Sequence, residues 1–145
     1  MKKIAFIITV FIAATAFTVL DGSKDIVGKW KTAESSYPAA RKVLIAKVKK
    51  ISPEQAEQLE AAGDQLDQLI AIVTYEYKDN GEYEIVTPQG PQGGKWKIVE
   101  NGKYIERQAN AGGPARRDSI ISIKQDKVVL MDLDTRENLE YVKAD

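Results

Sequence analysis

The sequence predicts a mainly β chain: an eight-stranded antiparallel up-and-down barrel with a helical insertion after the first strand. Three observations predict it. The tripeptide Gly-Lys-Trp occurs at residues 28–30 and again at 94–96, each time opening a strand-like run. The second half of the chain is an unbroken series of short alternating runs separated by turn residues. Between the first strand and this meander, the apolar spacing is helical instead. Closing eight hairpin-linked strands removes both sheet edges. The alternatives are an open curved sheet with helices packed across it, and a β-sandwich.

The first strand is expected over residues 25–32, with Ile26, Gly28 and Trp30 on one face. A Gly at a strand start permits a sharp bend or a close approach, and a Trp two positions on is large enough to plug a barrel end. The helical insertion spans about 38–69. Its first part, 38–51, carries Leu44, Val48 and Ile51 on one face and Arg41, Lys42, Lys47, Lys49 and Lys50 elsewhere. Ser52-Pro53-Glu54-Gln55 is a helix start, with Ser52 as N-cap, Pro53 at the first position and Gln55 completing a capping box. That second helix presents Ala56, Leu59, Ala62, Leu66 and Leu69 as its apolar stripe, and Gly63 marks a kink. Its acidic faces complement the basic segment, which favours an antiparallel helical pair. A basic amphipathic helix touching anionic lipid or an envelope partner is the other reading.

From residue 70 the period becomes alternating. Tyr75 and Tyr77 share a face, and Asp79-Asn80-Gly81 is a hairpin turn. Tyr83 and Ile85 follow, then a Gly- and Pro-rich loop at 88–93. The run 95–99 carries Trp96 and Ile98, and Asn101-Gly102 turns the chain again. Residues 103–108 form a more polar strand and 109–117 a second Gly-rich loop. Strands at 119–124, 127–133 and 138–143 complete the set. The two long loops lie where they would gate one barrel end.

Residues 1–20 read as an export signal. Lys2 and Lys3 precede the apolar run 4–16, and Ala14-Thr15-Ala16 fits a cleavage site, with cleavage near 16–22. Residues 21–145 are then one domain outside the cytoplasm, periplasmic or secreted. The chain has no Cys, so it is neither a lipoprotein nor disulfide-bonded. It has no His either, which removes the commonest general base and metal ligand. Lys plus Arg and Asp plus Glu each number 21, and no basic stripe suggests nucleic acid. No metal-ligand or phosphate-loop spacing occurs, and no cofactor is expected.

The motifs resemble those of bacterial lipocalin-like domains, common among secreted and envelope proteins. The resemblance rests on Gly28-Lys29-Trp30, a helical insertion, the hairpin Tyr75-Glu76-Tyr77-Lys78-Asp79-Asn80-Gly81-Glu82-Tyr83, and Gly94-Lys95-Trp96 before a terminal meander. It covers essentially the whole exported chain. It implies the barrel fold more than any ligand. It also implies an Arg near the last strand covering the first-strand Trp, for which Arg136 is the candidate.

Two non-enzymatic functions follow. One is binding of a small apolar ligand inside the barrel. The other is a ligandless module contacting envelope components through loops or helices. Gly28, Trp30, Gly94 and Trp96 are structural, the Trp pair plugging the barrel base. Tyr75, Tyr77 and Tyr83 are the candidate ligand contacts. Tyr104 and Glu106 are candidates to orient a polar head group from the same interior. Hydrolysis by a carboxylate pair is disfavoured, because Glu76, Glu82 and Glu84 oppose the aromatic face and suit cross-strand pairing with lysines.

Overall fold

Eight strands close into one antiparallel barrel, each pairing with its neighbours in chain order, with β1 against β8 as the seal. The structure is a computed structural model and describes residues 22–145. The expected export segment 1–20 lies outside the described residues. The strands are β1 Gly28–Thr32, β2 Thr74–Tyr77, β3 Glu82–Thr87, β4 Gly90–Val99, β5 Tyr104–Ala109, β6 Arg116–Ile123, β7 Lys127–Asp132 and β8 Asn138–Lys143. The helices are α1 Gly22–Ile26, α2 Tyr37–Ile51, α3 Pro53–Ala62 and α4 Asp64–Ile72. Trp30 pairs with Lys143, Lys31 with Val142 and Thr32 with Tyr141, which excludes the open sheet and the sandwich. The fold is a closed up-and-down barrel.

Local chemistry explains most boundaries. At the β2–β3 turn, Asn80 Oδ1 accepts from the Glu82 N–H at 3.0 Å, and Gly81 takes φ +86°. Ser52 Oγ accepts from the Gln55 N–H at 3.4 Å, as the cap requires. Gly63, at φ +54°, divides the expected kinked helix into α3 and α4. Two other boundaries differ from the sequence reading. Residues 22–26 form the short helix α1 rather than the start of β1, and Ile26 is fully buried. Most of the expected 88–93 loop is strand, because Pro91 and Gln92 are drawn into register with Val86 and Ile85.

The barrel base is the aromatic plug. Trp30 is 1% exposed and donates from Nε1 to the Ile26 carbonyl at 2.7 Å. Trp96 donates likewise to the Lys78 carbonyl at 2.9 Å, and Tyr77, Ile105, Val128 and Leu130 fill the space between. The cation over Trp30 is Lys143, whose Nζ lies 4.1 Å from the ring centroid and donates to the Val27 carbonyl at 3.3 Å. Arg136, the candidate from the resemblance, instead occupies the β7–β8 turn at φ +64°. A side chain at Gly28 would collide with the Lys143 ammonium, and φ there is +138°.

The helices fold back as a roof. Among the described residues, only Arg41 forms an ion pair with the acidic helices, through Asp67 at 2.9 Å. Lys42, Lys47 and Lys50 reach the other way, to Glu137, Asp132 and Asp134 at the β7–β8 end. The basic helix packs against α3 and α4 as expected, while most of its ion pairs reach the barrel. On the outer wall, Lys95 pairs with Glu82 at 3.2 Å and Lys78 with Glu84 at 4.0 Å, the lysine–glutamate pairing expected from the alternation.

Candidate functional site

A cavity of about 710 Å³ lies between the barrel interior and the helical roof. Its roof is apolar: Val43 and Leu44 from α2, Leu59 from α3, and Leu66, Leu69 and Ile70 from α4. These positions recur at helical spacing, which is why the insertion has one face to bury. The barrel wall adds Val73, Ile85 and Leu139. The mouth is edged by residues of the two Gly-rich connections, among them Pro88, Gln89 and Gly113.

The floor is an edge-to-face pair. Tyr75 and Tyr141 meet with ring centroids 5.3 Å apart at 78°. Both also border a second void of about 10 Å³ over Trp30 and Ile26, large enough for one water at most. The two rings thus separate the packed base from the cavity. Burial pushes both phenols above their usual range, Tyr141 strongly, so both hydroxyls stay neutral donors.

Beside the floor stands a row of charges. Arg107 of β5 pairs through Nη2 with Asp118 of β6, and its Nη1 donates to the Tyr77 hydroxyl at 3.4 Å. Burial works against the guanidinium charge, but the adjacent Asp118 carboxylate opposes it and Arg107 stays protonated. Asp132 is the cross-strand partner of Asp118. It accepts from the Thr135 N–H and Oγ1, each at 2.9 Å, and lies 3.4 Å from Lys47 of α2. Burial pushes the Asp132 carboxyl up, but the Thr135 hydrogen bonds and Lys47 overcome this, and its pKa falls below the ordinary value. Among the described residues, no cluster of His, Cys or carboxylates is arranged to hold a metal ion.

The residues singled out from sequence divide into three groups. Tyr75 and Tyr83 line the cavity. Tyr77 lies below the floor, packed edge-to-face on Trp96 at 5.4 Å. Tyr104 and Glu106 point away from the interior, correcting the face assigned to β5. Ile105 is fully buried, and Arg107 and Ala109 line the cavity, so the alternation runs on odd numbers. Glu106 sits on the outer wall, where Arg117 at 2.7 Å and Lys97 at 3.5 Å hold it. The sequence reading missed Arg107, Asp118, Asp132 and Tyr141. Their signal was present: each lies on a face with apolar neighbours at i±2, such as Ile105, Ile120, Leu130 and Leu139.

No family model and no curated protein matches the chain. Solved structures do. A duf4847 family protein from Bacteroides vulgatus superposes with a TM-score of 0.52 at 10% identity, covering 83% of this chain and 96% of that one. A lipocalin-like protein from Bacteroides uniformis gives a TM-score of 0.46 at 10% identity, over 83% and 99% of the two chains. At such identity the first likeness shows a shared fold and nothing more.

Proposed function

We propose that this protein is a non-enzymatic binder of a small, largely apolar molecule, held between the barrel and its helical roof. The cavity itself carries the reading. Its volume falls within the range of about 300–1,000 Å³ usual for small-molecule sites, and it combines apolar walls with a few convergent polar groups. A carboxylate-based hydrolase would also place two acids in one cavity, as Asp118 and Asp132 are placed. It needs one of them protonated at working pH. Asp132 is held in the opposite sense and Asp118 is engaged by Arg107, which favours binding over catalysis.

The proposal includes action outside the cytoplasm after removal of the leader. That part rests on Lys2, Lys3 and the apolar run that follows. N-terminal sequencing of the native protein is expected to begin between residues 17 and 23, and a product retaining Met1 would overturn it.

Binding is tested by titrating the uncharged dye Nile red and by mass spectrometry of organic extracts from natively purified protein. Trp30 and Trp96 lie below the tyrosine floor, so an extrinsic dye is the better reporter. Saturable dye binding that is lost in folded Ile85→Trp, which fills the cavity from the wall, is the expected result. No saturable binding, or binding unchanged in that variant, rejects the proposal in favour of a ligandless module.

A further inference from the structure

The buried and half-buried charged groups of the cavity form one row in which positive and negative members are balanced. Lys47, Asp132, Asp118 and Arg107 form a row with two positive and two negative members. The remaining lining cation, Arg116, is exposed. It faces Arg107 directly across β5 and β6, with its side chain in water that screens it. Arg107 has five N–H donors; two are accounted for by Tyr77 and Asp118, and its buried Nε finds no acceptor in the protein. The Asp118 carboxylate retains lone pairs beyond the one given to Arg107.

Each class of occupant meets this floor differently. A carboxylate head would bring a third negative charge beside Asp118 and Asp132 and lose its hydration with only the water-screened Arg116 as a free counter-charge. A cationic head would meet Arg107 in the same way. A pure hydrocarbon would dry the row without replacing the water it displaces. A hydroxyl or carboxamide both accepts from Arg107 and donates to Asp118 or a tyrosine oxygen. We infer that the occupant is an amphipathic molecule with an uncharged hydroxyl or carboxamide head at the Arg107–Asp118 end and its apolar body beneath the α2–α4 roof. This rests on the cavity being the ligand site.

The test is displacement of Nile red by decanol, decanamide and decanoate, which share a chain and differ in the head. Near neutral pH, decanoate is expected to bind about tenfold more weakly than decanol. On acidification through its own carboxyl pKa, the acid becomes neutral and its affinity should rise toward that of decanol. Decanol followed in parallel reports any titration of the cavity groups themselves. In Asp118→Asn the guanidinium is uncompensated, and the gap is expected to close by about tenfold. The wild-type series alone decides the matter if that variant fails to fold. Decanoate binding as well as decanol at neutral pH, or weakening on acidification, overturns the inference. So does a folded Asp118→Asn that keeps the gap. If Nile red binds but none of the three displaces it, the head-group inference fails and the cavity reading stands. If Nile red does not bind, both fail.

Discussion

Tyr83 and Gly94 face each other across β3 and β4, and the Tyr83 ring covers the spot where a Gly94 side chain would stand. A Cβ there would lie 2.7 Å from Tyr83 Cε1 and would also strike the Gln108 carbonyl of β5. The glycine of the second Gly-Lys-Trp is thus a matter of room between three strands. Gly94→Ala is expected to destabilise by about 1–3 kcal/mol, as overpacking does, read as a lower urea midpoint with unchanged slope.

The two tryptophans bear most of the base. Trp30→Ala and Trp96→Ala should each cost about 3–5 kcal/mol, with Trp30 the costlier because it is the more buried. Lys143→Met removes the cation but keeps the aliphatic stem over the ring, so its cost should stay below about 1 kcal/mol. Equal losses for Lys143→Met and Trp30→Ala in chemical denaturation would contradict this ranking.

The roof is held by packing rather than by its visible ion pairs. The Lys50–Asp134 pair is more than half exposed on both sides, and Lys42 is similarly solvated. Leu66 is 1% exposed. Lys42→Ala with Lys50→Ala should change stability by less than about 1 kcal/mol. Leu66→Ala should cost about 2–5 kcal/mol and weaken Nile red binding. Thermal melts of the two proteins at one pH compare them directly.

Asp132 makes stability depend on pH with a definite sign. Its native pKa is depressed, so its contribution is fully present above the unfolded value of about 3.9 and is lost as pH falls through the lower native value. Melting temperature against pH should fall more steeply in the wild type than in Asp132→Asn below about pH 4. Parallel curves would show that Asp132 is not a significant contributor.

Strand existence was legible because turn chemistry punctuates it: Asn80-Gly81 and Asn101-Gly102 fix two hairpins without reference to the rest of the fold. Gly90 to Gly93 carry turn residues yet extend β4, because pairing with β3 overrides local preference. Helix α1 is too short to show a period, and what defines it is Ile26 beneath Trp30. The cavity was half legible. Aromatic alternation marked Tyr75 and Tyr83. On β5 a charged residue read as outward-facing, although Arg107 is made acceptable inside by Asp118, eleven positions later. Ile105 and Ala109 mark the Arg107 face at i±2, but the partner that neutralises Arg107 lies on another strand, and β5 taken alone places the face of Tyr104 and Glu106 inward.

Closure of the barrel joins Lys31 to Val142, nearly the whole described chain apart. The loop so formed is long and its contacts non-local, which slows folding. The clasp is β8, the six-residue last strand of the barrel. Until those residues are available, β1 and β7 both remain open edges, Trp30 has no ammonium above it, and the tyrosine floor lacks Tyr141. A chain shortened by this one strand is therefore not a slightly smaller barrel but an adhesive sheet.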